Sequence, residues 1–190
     1  MQNIENRKNV DQQINLANVA GNVTLSSRTR LSSKFERLRD EVKNNQKYDS
    51  FIEDFNTYNT IQDGIGLEKK LEDAGFTHRE IIRALNFKEK YSKRVVKGEM
   101  FLSQQQIDVE IFSIIDNNFE TYVFQKIIDD CDKSLILECL LEKVVEPILV
   151  KLNEDGEADD FLNYSANDIY GMIYFLTGKC HLNWKDYDFI

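Results

Sequence analysis

The chain has 190 residues, 42% of them hydrophobic and 30% charged, with a formal net charge of −9. That length suits one good core, and that balance belongs to a folded chain rather than a disordered one. One proline and eight glycines exclude a turn-rich all-β domain, since such folds need many turn residues.

The charge is uneven. Residues 1–100 carry 18 Lys and Arg against 15 Asp and Glu, a net of +3, while residues 101–190 carry 6 against 18, a net of −12. The acidic half would repel a phosphate backbone. Two basic groups remain, Arg28, Arg30, Lys34, Arg37 and Arg39, and Lys88, Lys90, Lys93, Arg94 and Lys97. Both read first as solvated helix faces. Three cysteines, Cys131, Cys139 and Cys180, are odd in number and irregular in spacing, so they make no disulfide framework. Neither a secretory pattern nor a run long enough to cross a membrane is visible. The expected compartment is a reducing cytoplasm.

In chain order, residues 1–31 form a polar head rich in Asn, Gln, Ser and Val. Two short alternating runs around Ile14, Leu16, Val23 and Leu25 predict a β-hairpin. A lone hairpin is marginally stable, so it must lie on the body, pair with another chain, or be disordered. From Ser32 the period becomes helical, with Ser32 or Ser33 as cap and Phe35, Leu38 and Val42 on one face. Tyr48, Phe51, Ile52, Phe55 and Tyr58 continue an aromatic helical stripe. Gly64 and Gly66 break it, and a short helix from Leu67 to about Asp73 ends at Gly75 as a left-handed cap.

Thr77 and Glu80 make a capping box. The helix it starts carries Ile81, Ile82, Leu85, Tyr91, Val95 and Val96 and runs to about Gly98. The next shows Ile107, Ile111, Ile114, Ile115, Phe119, Tyr122 and Val123 at three- and four-residue steps. A further helix holds Leu135, Leu137, Leu140, Leu141, Val144, Val145, Ile148 and Leu149. Pro147 must either kink it or start a new one. Residues 153–160 read as an exposed acidic loop. The predicted architecture is mainly α: an antiparallel, bundle-like helical domain over residues 32–190 behind the short β head.

The closing segment is the densest in special residues. Ser165 and Asp168 form a weaker capping box for a helix with Ile169, Met172, Ile173, Phe175 and Leu176, apolar on more than one side. Gly171 in its middle costs roughly 1 kcal/mol relative to alanine, which a close helix approach would offset. Gly178 reads as the left-handed stop. Cys180, His181 and Trp184, the sole tryptophan, then read as an extended plug. Adjacent Cys and His on an extended chain point to opposite faces, so they pair poorly as nucleophile and base. Zinc wants about four Cys or His ligands at paired spacings, and the three Cys and two His of this chain lack them. No phosphate-binding glycine loop and no hydrolase motif is present. Neither an enzyme, a metal site nor a cofactor is expected.

Three stretches resemble the C-terminal domain family of bacterial ABC-three-component conflict systems. They are Lys34-Phe-Glu-Arg-Leu-Arg-Asp-Glu41 with Asp63-Gly-Ile-Gly-Leu-Glu-Lys-Lys-Leu71, then Leu140-Leu-Glu-Lys-Val-Val-Glu-Pro-Ile-Leu149, and Asp168-Ile-Tyr-Gly-Met-Ile-Tyr-Phe-Leu-Thr-Gly-Lys-Cys-His-Leu-Asn-Trp184. The resemblance implies an anti-phage or anti-plasmid role beside an ABC-type ATPase and a middle component. Such proteins usually carry a fused effector, for which residues 1–31 are too short. The expectation is therefore a non-enzymatic adaptor that binds the ATPase, the middle component or a separately encoded effector. The head is expected either to dock a separately encoded effector or to assemble with copies of itself. Partner-binding candidates are Gly171, Tyr174, Phe175, Thr177, Gly178, His181 and Trp184. The rival readings are a nucleic-acid-binding regulator or antitoxin using a basic patch, and a small hydrolase using Cys180 and His181.

Overall fold

The computed structural model describes residues 28–62, 64–96, 101–157 and 159–187. These residues are mainly helical and include no strand. The β-hairpin expected in the head falls on residues 1–27, outside the described residues. α1 (Arg30–Lys43) begins earlier than the two serines suggested. Thr29 is its cap and accepts the Ser32 N–H at 3.0 Å. Ser32 and Ser33 lie inside the first turn and return their hydroxyls to the Thr29 carbonyl. Leu31, Phe35 and Leu38 form the buried face.

The aromatic stripe is only half helical. α2 (Glu53–Asn59) starts after Phe51 and Ile52. The reason is Gln105, whose side chain accepts the Ile52 N–H at 2.8 Å and donates to the Ser50 carbonyl at 3.0 Å. That backbone is thus committed to another helix and cannot form its own turn. Tyr48 stays exposed, while Phe51 stacks on Phe55.

α3 (Leu67–Asp73) ends where expected. Gly75 has φ +73°, its N–H bonds to the Glu72 carbonyl, and Phe76 N–H bonds to the Leu71 carbonyl. This pair of bonds satisfies two otherwise orphaned carbonyls. α4 (His78–Val96) follows the Thr77–Glu80 capping box, in which Glu80 accepts the Thr77 N–H at 2.6 Å. The expected end near Gly98 lies outside the described residues. α5 (Leu102–Asn118) has no capping side chain at Phe101. Glu41 of α1 supplies it instead, accepting the Ser103 N–H at 3.0 Å and its hydroxyl at 2.7 Å.

α5 continues through a π-helical stretch, Phe119–Phe124, into α6 (Gln125–Ile128). Likewise α7 (Lys133–Leu140) passes through π-helical Leu141–Val145 into α8 (Glu146–Asp155). Pro147 stands in the first turn of α8, where the α-helix starts again after the π-helical stretch. It has no N–H for the Lys143 carbonyl, and the Asn118 amide donates to that carbonyl at 2.9 Å instead. The wider turn just before the proline carries the chain past its ring, with Glu146 N–H bonding to the Leu141 carbonyl. α8 takes residues 153–155 of the expected acidic loop. Beyond it, the Asp159 carboxylate accepts the N–H groups of Phe161, Leu162 and Asn163.

α9 (Ala166–Gly178) is central. It lies along α4 in the longest seam of the fold and also meets α3, α5 and α8, while α1 and α2 pack on α5. Phe112 of α5 is the hub of the core, with rings of Phe55, Tyr58, Tyr91 and Phe175 at centroid distances of 5.3–5.9 Å. Ile82, Tyr122, Leu135 and Leu141, placed by periodicity on apolar stripes, are exposed.

Candidate functional site

The site begins with the α4–α9 seam. Asp168 accepts from both the N–H and the hydroxyl of Ser165, fixing the start of α9. Burial opposes the Asp168 charge, but Ser165, Lys90 and Arg94 outweigh it and hold the carboxyl below its usual range. One turn on, a Cβ at Gly171 would lie 2.8 Å from the Phe87 carbonyl oxygen and 3.0 Å from Tyr91 Cβ. The glycine permits the close approach expected of it.

The end of α9 differs from expectation. Gly178 is helical, and the left-handed position is Cys180, at φ +72°. Cys180 N–H bonds to the Thr177 carbonyl and His181 N–H to the Leu176 carbonyl, both at 3.0 Å. Gly178 serves instead as the floor under the Lys88 side chain, whose Nζ would lie 2.6 Å from an added Cβ. The segment after it is a tight turn rather than an extended strand. It still plugs the fold: Cys180, Leu182 and Trp184 are buried. Trp184 donates its indole N–H to Thr177 Oγ1 at 3.0 Å, and Thr177 donates to the Ile173 carbonyl at 2.9 Å. The indole packs edge-on against Phe76 and Phe119.

Cys180 and His181 go to separate partners. The thiol donates to the Ile65 carbonyl. His181 Nδ1 lies 3.1 Å from Gln62 Nε2. Burial lowers the His181 pKa, and Asp116 with the carbonyls at the end of α2 opposes that only in part. Among the described residues no group of three or more His, Cys, Asp or Glu could hold a metal ion.

The seven candidates are therefore placed as follows. Gly171, Tyr174, Phe175, Thr177 and Trp184 are buried in the chain's own core, and Gly178 and His181 are half-buried. Tyr174 also reaches a surface groove, and the other six shape the interior beneath it.

The surface they support is a groove of about 200 Å³ between α4, α9 and α7. Its walls include Phe76, Phe87, Leu137, Tyr170 and Tyr174. Phe87 stacks on Tyr170, Tyr170 on Tyr174, and Tyr174 on Trp184, so a ladder of rings runs from the rim to the core. Arg83 lies over the Phe87 ring at 5.2 Å and, among the described residues, has no carboxylate partner. The Glu80 carboxylate is paired, with the Lys133 ammonium of α7 at 2.8 Å. That ammonium and the Thr77 cap pull the Glu80 pKa down to about 2. Burial pushes Tyr174 up to about 12, so its hydroxyl remains a donor.

Sequence reasoning missed a buried polar cluster further along α4, at Tyr91 and Arg94. Asp108 of α5 is wholly buried and accepts hydrogen bonds from Tyr91 at 3.0 Å and from Tyr164. Arg94 lies over the Tyr164 ring and 3.7 Å from Asp168. Burial raises the Asp108 carboxyl to about 7, against the lowering effect of both tyrosines and Arg94. Lys70 was missed too. It is fully buried and donates to Asn183 Oδ1 at 2.6 Å. Lys70 lies three residues from Leu67, and Asp108 three and four residues from Ile111 and Phe112. That spacing was the available signal.

Part of each basic group is paired with carboxylates within the fold. Lys34 pairs with Glu110 at 2.7 Å, Arg28 with Glu36 at 3.2 Å, Lys90 with Asp168 at 3.1 Å and Lys93 with Glu89 at 2.6 Å.

These features define a helical domain whose last helix and following turn close its own core beneath an aromatic groove. The chain belongs to C-terminal domain 9 of the ABC-three component (ABC-3C) systems, whose family model matches residues 66–184. The match covers α3 through the plug, and so includes two of the three stretches that carried the resemblance, with the third entering only from Gly66 onward. No curated protein and no solved structure matches the chain.

Proposed function

We propose that this chain is a non-enzymatic adaptor of an ABC-three-component defence system, acting in the cytoplasm against phage or plasmid. It would hold together the system's ABC-type ATPase, its middle component or a separately encoded effector. The supporting observation is the family match across the whole α3-to-plug body. That body spends its notable residues on its own core and leaves an aromatic groove open. The internal pairing of Lys34, Lys90 and Lys93 favours a protein partner over a nucleic acid, because cations already matched to carboxylates release few counterions on a phosphate backbone.

Co-expression with the neighbouring ATPase and the other system components tests this reading. The expected result is a complex that survives size-exclusion chromatography at micromolar concentration. Elution of the chain alone under every nucleotide condition would sink it.

A further inference from the structure

The groove on the α4–α9 seam has a definite chemical preference. Its floor is apolar and aromatic, from Phe76, Leu137 and the Phe87–Tyr170–Tyr174 ladder. Its one acid, Glu80, is already engaged by Lys133 and by the Thr77 backbone. What remains uncommitted is a set of donors. Arg83 is exposed, held in place by the Phe87 ring and unpaired with any carboxylate among the described residues. Tyr170 and Tyr174 both lie within its electrostatic reach. A guanidinium pre-positioned on an aromatic ring binds a carboxylate well, because little side-chain freedom is left to lose. About 200 Å³ is several times the roughly 30 Å³ that one water occupies in the liquid. The groove thus admits a large apolar side chain, not merely solvent.

We infer that this groove captures a segment of a partner protein in which a large apolar side chain is flanked by a carboxylate. The apolar group fills the space over Leu137 and the tyrosine ladder, and the carboxylate meets Arg83. With Glu80 already paired to Lys133, an acidic neighbour is the flanking charge that Arg83 selects. This inference rests on the adaptor reading and gives that reading a surface and a partner chemistry. The binding energy comes from burying the anchor in a desolvated aromatic pocket, with Arg83 as the polar determinant of specificity.

The experiment uses the full chain and two peptide probes, acetyl-Glu-Leu-Phe-Glu-amide and acetyl-Lys-Leu-Phe-Lys-amide. Binding is read from NMR shifts of the Tyr170 and Tyr174 rings and from Trp184 emission, since Trp184 stacks on Tyr174. The acidic probe should bind saturably with its largest shifts on those tyrosines, and the lysine probe should bind at least about tenfold more weakly, as expected for loss of a charge-assisted hydrogen bond. Arg83→Glu, a surface change, should reverse that order. Val150→Asp, at an exposed residue of α8 outside the groove, should leave it intact. Equal binding of both probes, shifts centred elsewhere, or an Arg83→Glu chain that still prefers the acidic probe would overturn the inference.

A second arm separates this inference from the adaptor reading. If the chain forms a complex with system components and Arg83→Glu does not weaken it, the groove assignment falls and the adaptor stands. If the acidic probe binds as described but no complex forms, the adaptor falls and the groove's preference stands.

Discussion

Cys180 holds a backbone conformation that side chains resist. At φ +72° its Cβ crowds the following carbonyl, at a cost of roughly 1–2 kcal/mol for a non-glycine residue. The position persists because the two capping bonds to Thr177 and Leu176 and the thiol contact with Ile65 are all made there. This gives a test with an inverted order. In ordinary helical or extended backbone, alanine outperforms glycine; here Cys180→Gly should be more stable than Cys180→Ala by about 1 kcal/mol. Urea unfolding followed by Trp184 fluorescence measures the pair directly, and an alanine variant equal to or above the glycine variant would refute the strain. A sequence could not reveal this residue as the stop. A glycine two positions earlier invites that role, and only the packing of Lys88 over it shows what the missing side chain is for.

Among elements, the α4–α9 seam separates two glycines of one helix. An added methyl at Gly171 meets backbone, the Phe87 carbonyl, which cannot step aside without moving α4. At Gly178 it meets the end of Lys88, which can swing away. Gly171→Ala should therefore cost about 1–3 kcal/mol, as overpacked sites do. Gly178→Ala should stay within about 0.5 kcal/mol of wild type, helix propensity offsetting the displaced lysine. Equal losses at both sites in chemical denaturation would refute the distinction. The elements themselves were legible to different degrees. Capping boxes at Thr77 and Ser165 and the glycine stop at Gly75 are local devices, and the sequence carries them whole. The end of the aromatic stripe at Ile52 depends on Gln105, and the passage through Pro147 on Asn118. Both are contacts made by another helix, and a linear pattern does not contain them. The same holds for the site: the closing segment stood out in the sequence, but the groove needs Arg83 and Leu137 beside it, which only packing supplies.

At the scale of the whole molecule, Asp108 ties α5 to α4 through Tyr91 and to the approach of α9 through Tyr164. Its carboxyl is raised from an ordinary 3.8 to about 7 by burial. Below the lower value it is neutral folded and unfolded, so it carries no penalty. Between the two values the unfolded chain ionises and the folded chain does not, so stability falls as pH rises, on the order of 1 kcal/mol per pH unit. Above about 7 the loss is complete. Glu80 has the opposite sign, with its contribution lost only as the solution is acidified toward its folded value of about 2. Asp108→Asn removes the first effect alone. Its stability relative to wild type should improve from pH 5 to pH 8, and a constant difference across that range would show that Asp108 does not titrate with folding. The central place of α9 also has a consequence for how the chain is made. The face of α4 that carries Ile81, Ala84 and Tyr91 is finished long before its cover, which begins at Ala166. At the usual 5–20 residues per second of synthesis, the gap lasts roughly 4–14 s. For that time the nascent chain presents this apolar face without its cover, and every molecule must either fold late or be sheltered until α9 arrives.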